Sequence, residues 1–395
     1  MPTEPTYVIV GASLTGAKAA ETLRAEGFSG GVVLLGEETE RPYERPPLSK
    51  GYLLGKDEKT SIYVHDEGWY AQNDVDLRLG APVTALDPAA RQVTLAEGGT
   101  VGYDRLLLAT GAVPRRLSVP GAQLDGVLYL RWVRDSERLS AALQAGGQVV
   151  IVGAGWIGLE VAAAAREFGC AVTVVEPEPG ALYRQVGPEL SAVFTGLHTE
   201  HGVVFRFEES VAELRGAGGA VREAVTSAGA VPATSLASGA GLDCGNGVIV
   251  DAGLHTSAPD VFAAGDVANS YHPLFGRHVR VEHWANALNG GPAAARSMLS
   301  QGVSYDAVPY FFSDQYDLGM ETAGLPEPGS YDEVVYRGDR DAREFIAFWL
   351  SGGSVVAGMN INVWDVSDDI QALIRSRRQV EAARLADPDI PIPHL

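Results

Sequence analysis

Three glycines, Gly153, Gly155 and Gly158, are spaced as GAGWIG between a short apolar run and an alanine-rich stretch. That spacing fits G-x-G-x-x-G: the first glycine turns the chain tightly, the second lets backbone approach a pyrophosphate, and the third lets helix pack on strand. The phosphate then rests at a helix N-terminus, where free N–H groups and the dipole favour an anion. Glu176 closes the next apolar run, about 20 residues on, where a carboxylate binds a ribose 2′-hydroxyl. The same charge repels a 2′-phosphate, so the expected ligand is NADH rather than NADPH. Trp156 and Ile157 lie inside the motif. Arg184 follows where a basic side chain meets the dinucleotide's phosphates or adenosine, or is simply solvated.

A second, imperfect copy stands near the N-terminus as GASLTG. Gly11 and Gly16 are kept, while Ser13 occupies the middle glycine's place and Glu37 follows the next apolar run. A serine is small, and its hydroxyl can face a phosphate. Three further segments complete the set: RPPLSK (Arg45 to Lys50), LLLATG (Leu106 to Gly111, with Ala109, Thr110 and Gly111 at its end) and VFAAGD (Val261 to Asp266, ending in Gly265 and Asp266). Read alone, Asp266 is a solvated turn residue and Lys50 a loop lysine. No metal-ligand spacing occurs, and no metal site is expected; Cys170 and Cys244 are isolated and read as packing residues.

The elements that must carry these residues repeat. YVIV (Tyr7 to Val10), the glycine turn, a helical stretch Ala17 to Glu26 and the run Val32 to Leu35 make a βαβ unit. The pattern returns from Gln148 to Glu176, with its helix over Leu159 to Phe168. Between the two, Val83 to Leu86 and Val93 to Leu95 alternate like strands, and Pro114 and Pro120 mark a crossing. A helix is expected near Trp284 to Leu299. The tail reads as strands Glu333 to Tyr336, Glu344 to Leu350 and Val355 to Asn360, then a helix over Ser367 to Arg378. The expected fold is α/β: two Rossmann-type dinucleotide-binding domains plus a small C-terminal α+β domain. The boundaries are 1–112 with 240–308 for the first dinucleotide-binding domain, 113–239 for the second and 309–395 for the last domain.

With 395 residues the chain is long enough for two or three cores. A formal net charge of -20 argues against nucleic acid and anionic membrane as general partners. The N-terminal stretch is no secretory signal, and no apolar run reaches the roughly 20 residues of a membrane span. Two isolated cysteines suit a reducing cytoplasm.

Taken in order, these segments resemble the FAD-dependent pyridine nucleotide-disulfide oxidoreductase superfamily. PYERPPLSK (Pro42 to Lys50), GLE (Gly158 to Glu160) and DQYDLG (Asp314 to Gly319) narrow the likeness to the NADH-dependent ferredoxin reductases of bacterial oxygenase systems. It extends over nearly the whole chain, and apoptosis-inducing-factor proteins and rubredoxin reductases look similar at the same level. The resemblance implies FAD and NADH as cofactors and a [2Fe–2S] ferredoxin as acceptor. It places Thr15, Glu37, Lys50, Val83, Arg131, Asp266 and Trp284 at FAD-contact positions. It makes Lys50 and Glu160 a catalytic pair beside flavin and nicotinamide. Trp156 is either an aromatic over the flavin or a packing residue, and Phe312 is the similar candidate on the opposite side. Thiol reductases of the superfamily carry a redox cysteine pair; Arg41 to Lys50 holds none, so electrons are expected to leave the flavin directly. A flavin-dependent NADH oxidase or peroxidase, which would ordinarily want a reactive cysteine near the flavin, and an apoptosis-inducing-factor-like NADH-sensing flavoprotein are the rival readings. Arg375, Arg377 and Arg378 form a basic cluster that either meets an acidic ferredoxin or is a solvated face.

One stretch departs from the family's pattern. Val221 to Ser227 runs almost at once into the turn Gly229-Ala-Val-Pro232. The long apolar strand expected before that turn, which would lie beside the nicotinamide, looks lost from the sequence.

Overall fold

The computed structural model of the chain describes residues 4–216, 220–226, 229–327 and 329–395, with backbone alone over 220–226. Two compact units emerge.

The first comprises 1–44, 59–113 and 231–307. Its near-continuous apolar runs suit strands covered on both faces, the mark of a parallel sheet. Five parallel strands line up in the order Val261–Ala263, Arg105–Leu108, Thr6–Val10, Gly31–Leu35 and Val75–Arg78. Val8, Ile9, Leu34, Leu106 and Ala263 are wholly enclosed. The crossover helix Leu14–Ala25 buries Ala17, Ala19, Ala20 and Leu23. It starts three residues before the expected Ala17, because the glycine turn leads straight into it. The helix Trp284–Met298 lies against it, and a Cβ on Gly291 would come within 2.4 Å of the Thr15 carbonyl oxygen. Val83–Asp87, Gln92–Leu95 and Thr100–Gly102 form a small antiparallel sheet in the same unit.

The second unit comprises 45–58, 114–230 and 308–395. Its parallel sheet runs Val204–Phe207, Ala171–Glu176, Gln148–Val152, Ala220–Thr226 and Asp125–Tyr129. Ala220–Thr226 lies between two parallel neighbours, at the place in the sheet for which the sequence offers no long apolar run. Arg222 and Glu223 interrupt its apolar character, which is why it does not read as a buried strand. Ser227 and Ala228, which open the approach to the following turn, lie outside the described residues. The helix Trp156–Glu167 begins at the glycine motif itself rather than at Leu159.

The tail adds a five-stranded antiparallel sheet in the order Tyr310–Gln315, Leu318–Gly324, Ser354–Ile361, Glu344–Ser351 and Glu333–Asp339. Phe345, Phe348 and Trp349 fill its core. The helix Ser367–Ser376 packs on it through Ile370, whose Cγ2 would lie 2.6 Å from a Cβ at Gly358. This helix stops short of Arg378 because Arg377 turns left-handed at φ 49°. Among the described residues no helix is long and apolar enough to cross a membrane.

Candidate functional site

In the first unit three loops meet at the carboxyl ends of the parallel strands, where open α/β sheets bind ligands. Gly11 donates to the Leu35 carbonyl at 2.8 Å and adopts φ 120°. A Cβ there would lie 2.1 Å from the Ala109 carbonyl oxygen, so only glycine fits. Gly265 is similarly confined at φ 76°, 2.5 Å from the Thr15 hydroxyl by the same measure. GASLTG, ATG and AGD are thereby brought together. Thr110 Oγ1 donates to the Ala233 carbonyl at 3.0 Å. Gly36, just before Glu37, accepts from Ala81 at 2.8 Å and draws the start of the Val83 strand to that edge.

Ser13 caps the helix Leu14–Ala25 in an extended conformation and makes no side-chain capping bond. Its hydroxyl is thus uncommitted to the helix, as the substitution of a glycine by serine requires if an anion is to sit there. Asp266 is the middle residue of a short 3-10 turn, Gly265–Val267, and its carbonyl accepts from Arg280 at 3.2 Å. Trp284 starts its helix and bonds the half-buried Glu44 carboxyl, which burial nonetheless raises above the usual carboxylate range.

The second unit holds the other glycine turn. Gly153 donates to the Val175 carbonyl at 2.8 Å, with φ 105°. Gly155 caps the helix Trp156–Glu167 in extended backbone, and a Cβ on it would meet nothing within 4 Å. Open space at a helix N-terminus is the cradle a pyrophosphate needs. Ile157, in the first turn, is 44% exposed, and Gly158 is buried. Glu176 Oε2 accepts from Ala154 N–H at 2.6 Å, and its Oε1 from Glu178 N–H at 3.0 Å. The carboxylate is therefore fixed at the lip of the turn and keeps lone pairs for a hydroxyl. Arg184 is largely exposed and pairs with Glu178.

Lys50 and Glu160, 110 residues apart in sequence, meet in this unit at 2.9 Å. A 3-10 turn, Pro46–Ser49, delivers Lys50; it is anchored by Ser136 Oγ donating to the Leu48 carbonyl at 2.8 Å and by Arg45 bonding the Arg131 carbonyl. Glu160 is 6% exposed and the Lys50 side chain 19%. The Lys50 ammonium also lies 3.7 Å from Asp314 and 5.4 Å from the Phe312 ring centre. Of the expected flavin contacts, Lys50, Arg131 and the aromatic candidate Phe312 thus belong to this unit, as does Arg45, and the others to the first.

The helix and the strand Tyr310–Gln315 match in period. Positions i and i+4 of a helix, and i and i+2 of a strand, both recur at about 6–7 Å. Trp156 accordingly meets Phe311, ring centres 4.9 Å apart, while Glu160 accepts from Ser313 Oγ at 2.7 Å. Trp156 also packs edge-on against Phe194 at 5.4 Å. Ser49, Ser313, Gln315 and His198 complete this polar centre and were not among the sequence candidates. No sequence pattern marks them: Ser313, Asp314 and Gln315 are all polar, and only the strand's burial separates Ser313 and Gln315 from exposed Asp314.

Among the described residues no group of acidic, histidine or cysteine side chains could hold a metal ion. Cys170 is buried with its Sγ 3.3 Å from the Leu143 carbonyl, and Cys244 is exposed in the other unit. Both glycine cradles, with Ser13, Gly155 and Glu176, fit a bound dinucleotide.

Two Rossmann-type folds with a small C-terminal antiparallel domain define a pyridine-nucleotide oxidoreductase. The chain belongs to the pyridine nucleotide-disulphide oxidoreductase family, which it matches over residues 5–291, and its residues 310–395 match the reductase C-terminal family. It is 39% identical to the ferredoxin–NAD(+) reductase component of the anthranilate 1,2-dioxygenase system of Burkholderia cepacia, over 97% of each chain. The structure superposes on putidaredoxin reductase in its covalent complex with putidaredoxin at TM-score 0.93, with 33% identity over 99% of this chain and 98% of that one. For a ferredoxin reductase of Rhodopseudomonas palustris the TM-score is 0.95, with 32% identity over 98% and 99%.

Proposed function

We propose that the chain is an FAD-dependent NADH:ferredoxin reductase that feeds an oxygenase from the cytoplasm. FAD would be held by Gly11, Ser13, Thr15, Gly16 and Glu37, by Val83, Ala109, Thr110 and Gly111, and by Gly265, Asp266 and Trp284; Arg45, Arg131 and Phe312 are further cofactor-binding candidates. NADH would lie on Gly153, Gly155, Trp156, Ile157 and Gly158, with Glu176 on its adenosine ribose and Arg184 near its phosphates. The domain boundaries that follow are 1–112 with 240–308 for FAD, 113–239 for NADH and 309–395 for the C-terminal domain.

Bound FAD supplies the chemistry of accepting hydride from NADH and releasing electrons singly to a [2Fe–2S] ferredoxin. The chain's part is to bind, orient and keep water out. The observation that carries the reading is the pairing of Lys50 with the buried Glu160, in the same unit as the NADH-type glycine turn. A buried charge is tolerated only when paired and hydrogen-bonded, and such arrangements gather at functional sites. Lys50 would hold the reacting rings in register, with Glu160 fixing the lysine. Arg41 to Lys50 offers no cysteine to take electrons, which supports direct exit to a protein acceptor.

The test is stopped-flow reduction of the yellow holoprotein by NADH, with and without a [2Fe–2S] ferredoxin plus cytochrome c. Fast bleaching with ferredoxin-dependent cytochrome reduction is the expected result. Bleaching without transfer would overturn the ferredoxin assignment and favour an oxygen-reacting or sensing flavoprotein, and no bleaching would overturn the NADH site.

A further inference from the structure

We propose that Ser313, Gln315 and His198 form a directed hydrogen-bond chain that positions Glu160, and through it Lys50, for hydride transfer. The inference rests on the catalytic reading of the Lys50–Glu160 pair. It concerns residues which that reading does not use.

The geometry is a single line of donors. His198 Nε2 lies 2.8 Å from Gln315 Oε1, Gln315 Nε2 donates to Ser313 Oγ at 3.1 Å, and Ser313 Oγ donates to Glu160 Oε1 at 2.7 Å. All four side chains are buried: His198 and Ser313 are 0% exposed, Gln315 1% and Glu160 6%. Each link fixes the next. The carboxylate can only accept, so the Ser313 hydrogen points at it. Ser313 then has only lone pairs for Gln315, which must offer its amide N–H. That choice leaves the Gln315 carbonyl facing His198, so the imidazole must carry its proton on Nε2. Its Nδ1 finds no hydrogen-bond partner among the described residues.

Three secondary elements are tied by this line: the helix Trp156–Glu167, the strand Tyr310–Gln315 and the helix Tyr183–Glu200. Ser49 donates to the other carboxylate oxygen, Oε2. Glu160 is thus gripped from both sides, and its Oε1 lies where the Lys50 ammonium meets it. The charged groups facing the centre are Lys50 and Asp314; the titratable groups facing the far end are His201, on the same helix as His198, and the Tyr316 phenol. Burial, more than any neighbour, pushes His198 down to about 4. A neutral imidazole with a single N–H is what the far end of the chain requires.

A merely structural role would affect stability alone, so the test separates binding from rate. Holoproteins carrying Ser313→Ala, Gln315→Met or Glu160→Gln are reduced by NADH under single-turnover conditions. The expected result is a limiting rate about tenfold lower in all three, within the roughly 100-fold that misplacement by about an ångström can cost. The Kd for NADH should change by less than about twofold. Histidine-selective 15N NMR of the unaltered holoprotein, with the signal assigned through His198→Asn, supplies a readout apart from turnover. It should show His198 neutral with its proton on Nε2 at pH 7, and tautomer exchange in Gln315→Met.

A slow Glu160→Gln beside unaffected Ser313→Ala and Gln315→Met would overturn the chain while leaving the pair intact. An unaffected Glu160→Gln would overturn the pair, and the chain with it. An Nδ1-protonated or charged His198 in the unaltered protein would overturn the chain even if no variant folds.

Discussion

Two residues make their own predictions. Glu176 is pinned by two backbone N–H groups at the lip of the glycine turn. Its substitution removes both a hydroxyl acceptor and the charge that repels a 2′-phosphate. Glu176→Ala should raise the KM for NADH by about tenfold, the worth of one hydrogen bond to a charged group. It should also shrink the preference over NADPH; paired steady-state assays would show it. His198 predicts an acid sensitivity. Its folded value of about 4 lies below the unfolded value of about 6.5. Above pH 6.5 both states are neutral and the residue has no effect. As pH falls toward 4, the unfolded chain binds a proton that the folded chain refuses. Stability is lost over that window by about 3 kcal/mol. His198→Asn, which does not titrate, should show a shallower fall of Tm between pH 6.5 and 4.5. Parallel slopes for the two proteins would contradict the burial argument.

At the level of elements, what the sequence discloses depends on how local the signal is. Both βαβ units were legible because an apolar run, glycine spacing and an alanine-rich stretch fall within about 30 residues. The pairing of Lys50 with Glu160 came from resemblance, since nothing local joins residues 110 apart. Ser313, Gln315 and His198 were hidden for a related reason: a buried serine or glutamine looks like any polar residue until its partners are in place. Ala220–Thr226 failed to read as a strand because charged residues break its apolar run, yet parallel neighbours on both sides hold it. The packing of Leu14–Ala25 on Trp284–Met298 was likewise invisible, although it depends on one glycine. Gly291→Ala would force a methyl to within 2.4 Å of the Thr15 carbonyl oxygen and 3.1 Å of the Ala19 nitrogen. Backbone cannot give way as a flexible side chain can, so the change should cost about 1–3 kcal/mol. Thermal unfolding would report it, and since Thr15 stands among the proposed FAD contacts, the flavin should also be released more readily.

For the whole molecule, charge poses the question of how a chain at -20 would greet an acidic ferredoxin. Mean repulsion slows encounter, and it is screened beyond about 10 Å at 0.1 M salt. Productive docking therefore needs a local patch of opposite sign whose field acts at contact distance. Arg375, Arg377 and Arg378 supply one: all are exposed, and they gather at the C-terminal end of the helix Ser367–Ser376, where cations also suit the dipole. Arg377 is held there as the helix cap, its carbonyl accepting from Ser354 at 3.1 Å. Asp368 and Asp369 lie in the first turn, so the charge is polarised along the helix rather than cancelled at one end. Reversing all three arginines to glutamate should raise the ferredoxin KM by about tenfold, in line with contact-range charge pairs at interfaces. The rate of flavin reduction by NADH should stay unchanged. Added salt should narrow the difference between variant and parent, because only the electrostatic part is screened. An unchanged KM at low ionic strength would mark the cluster as a solvated face and move the docking surface elsewhere on the chain.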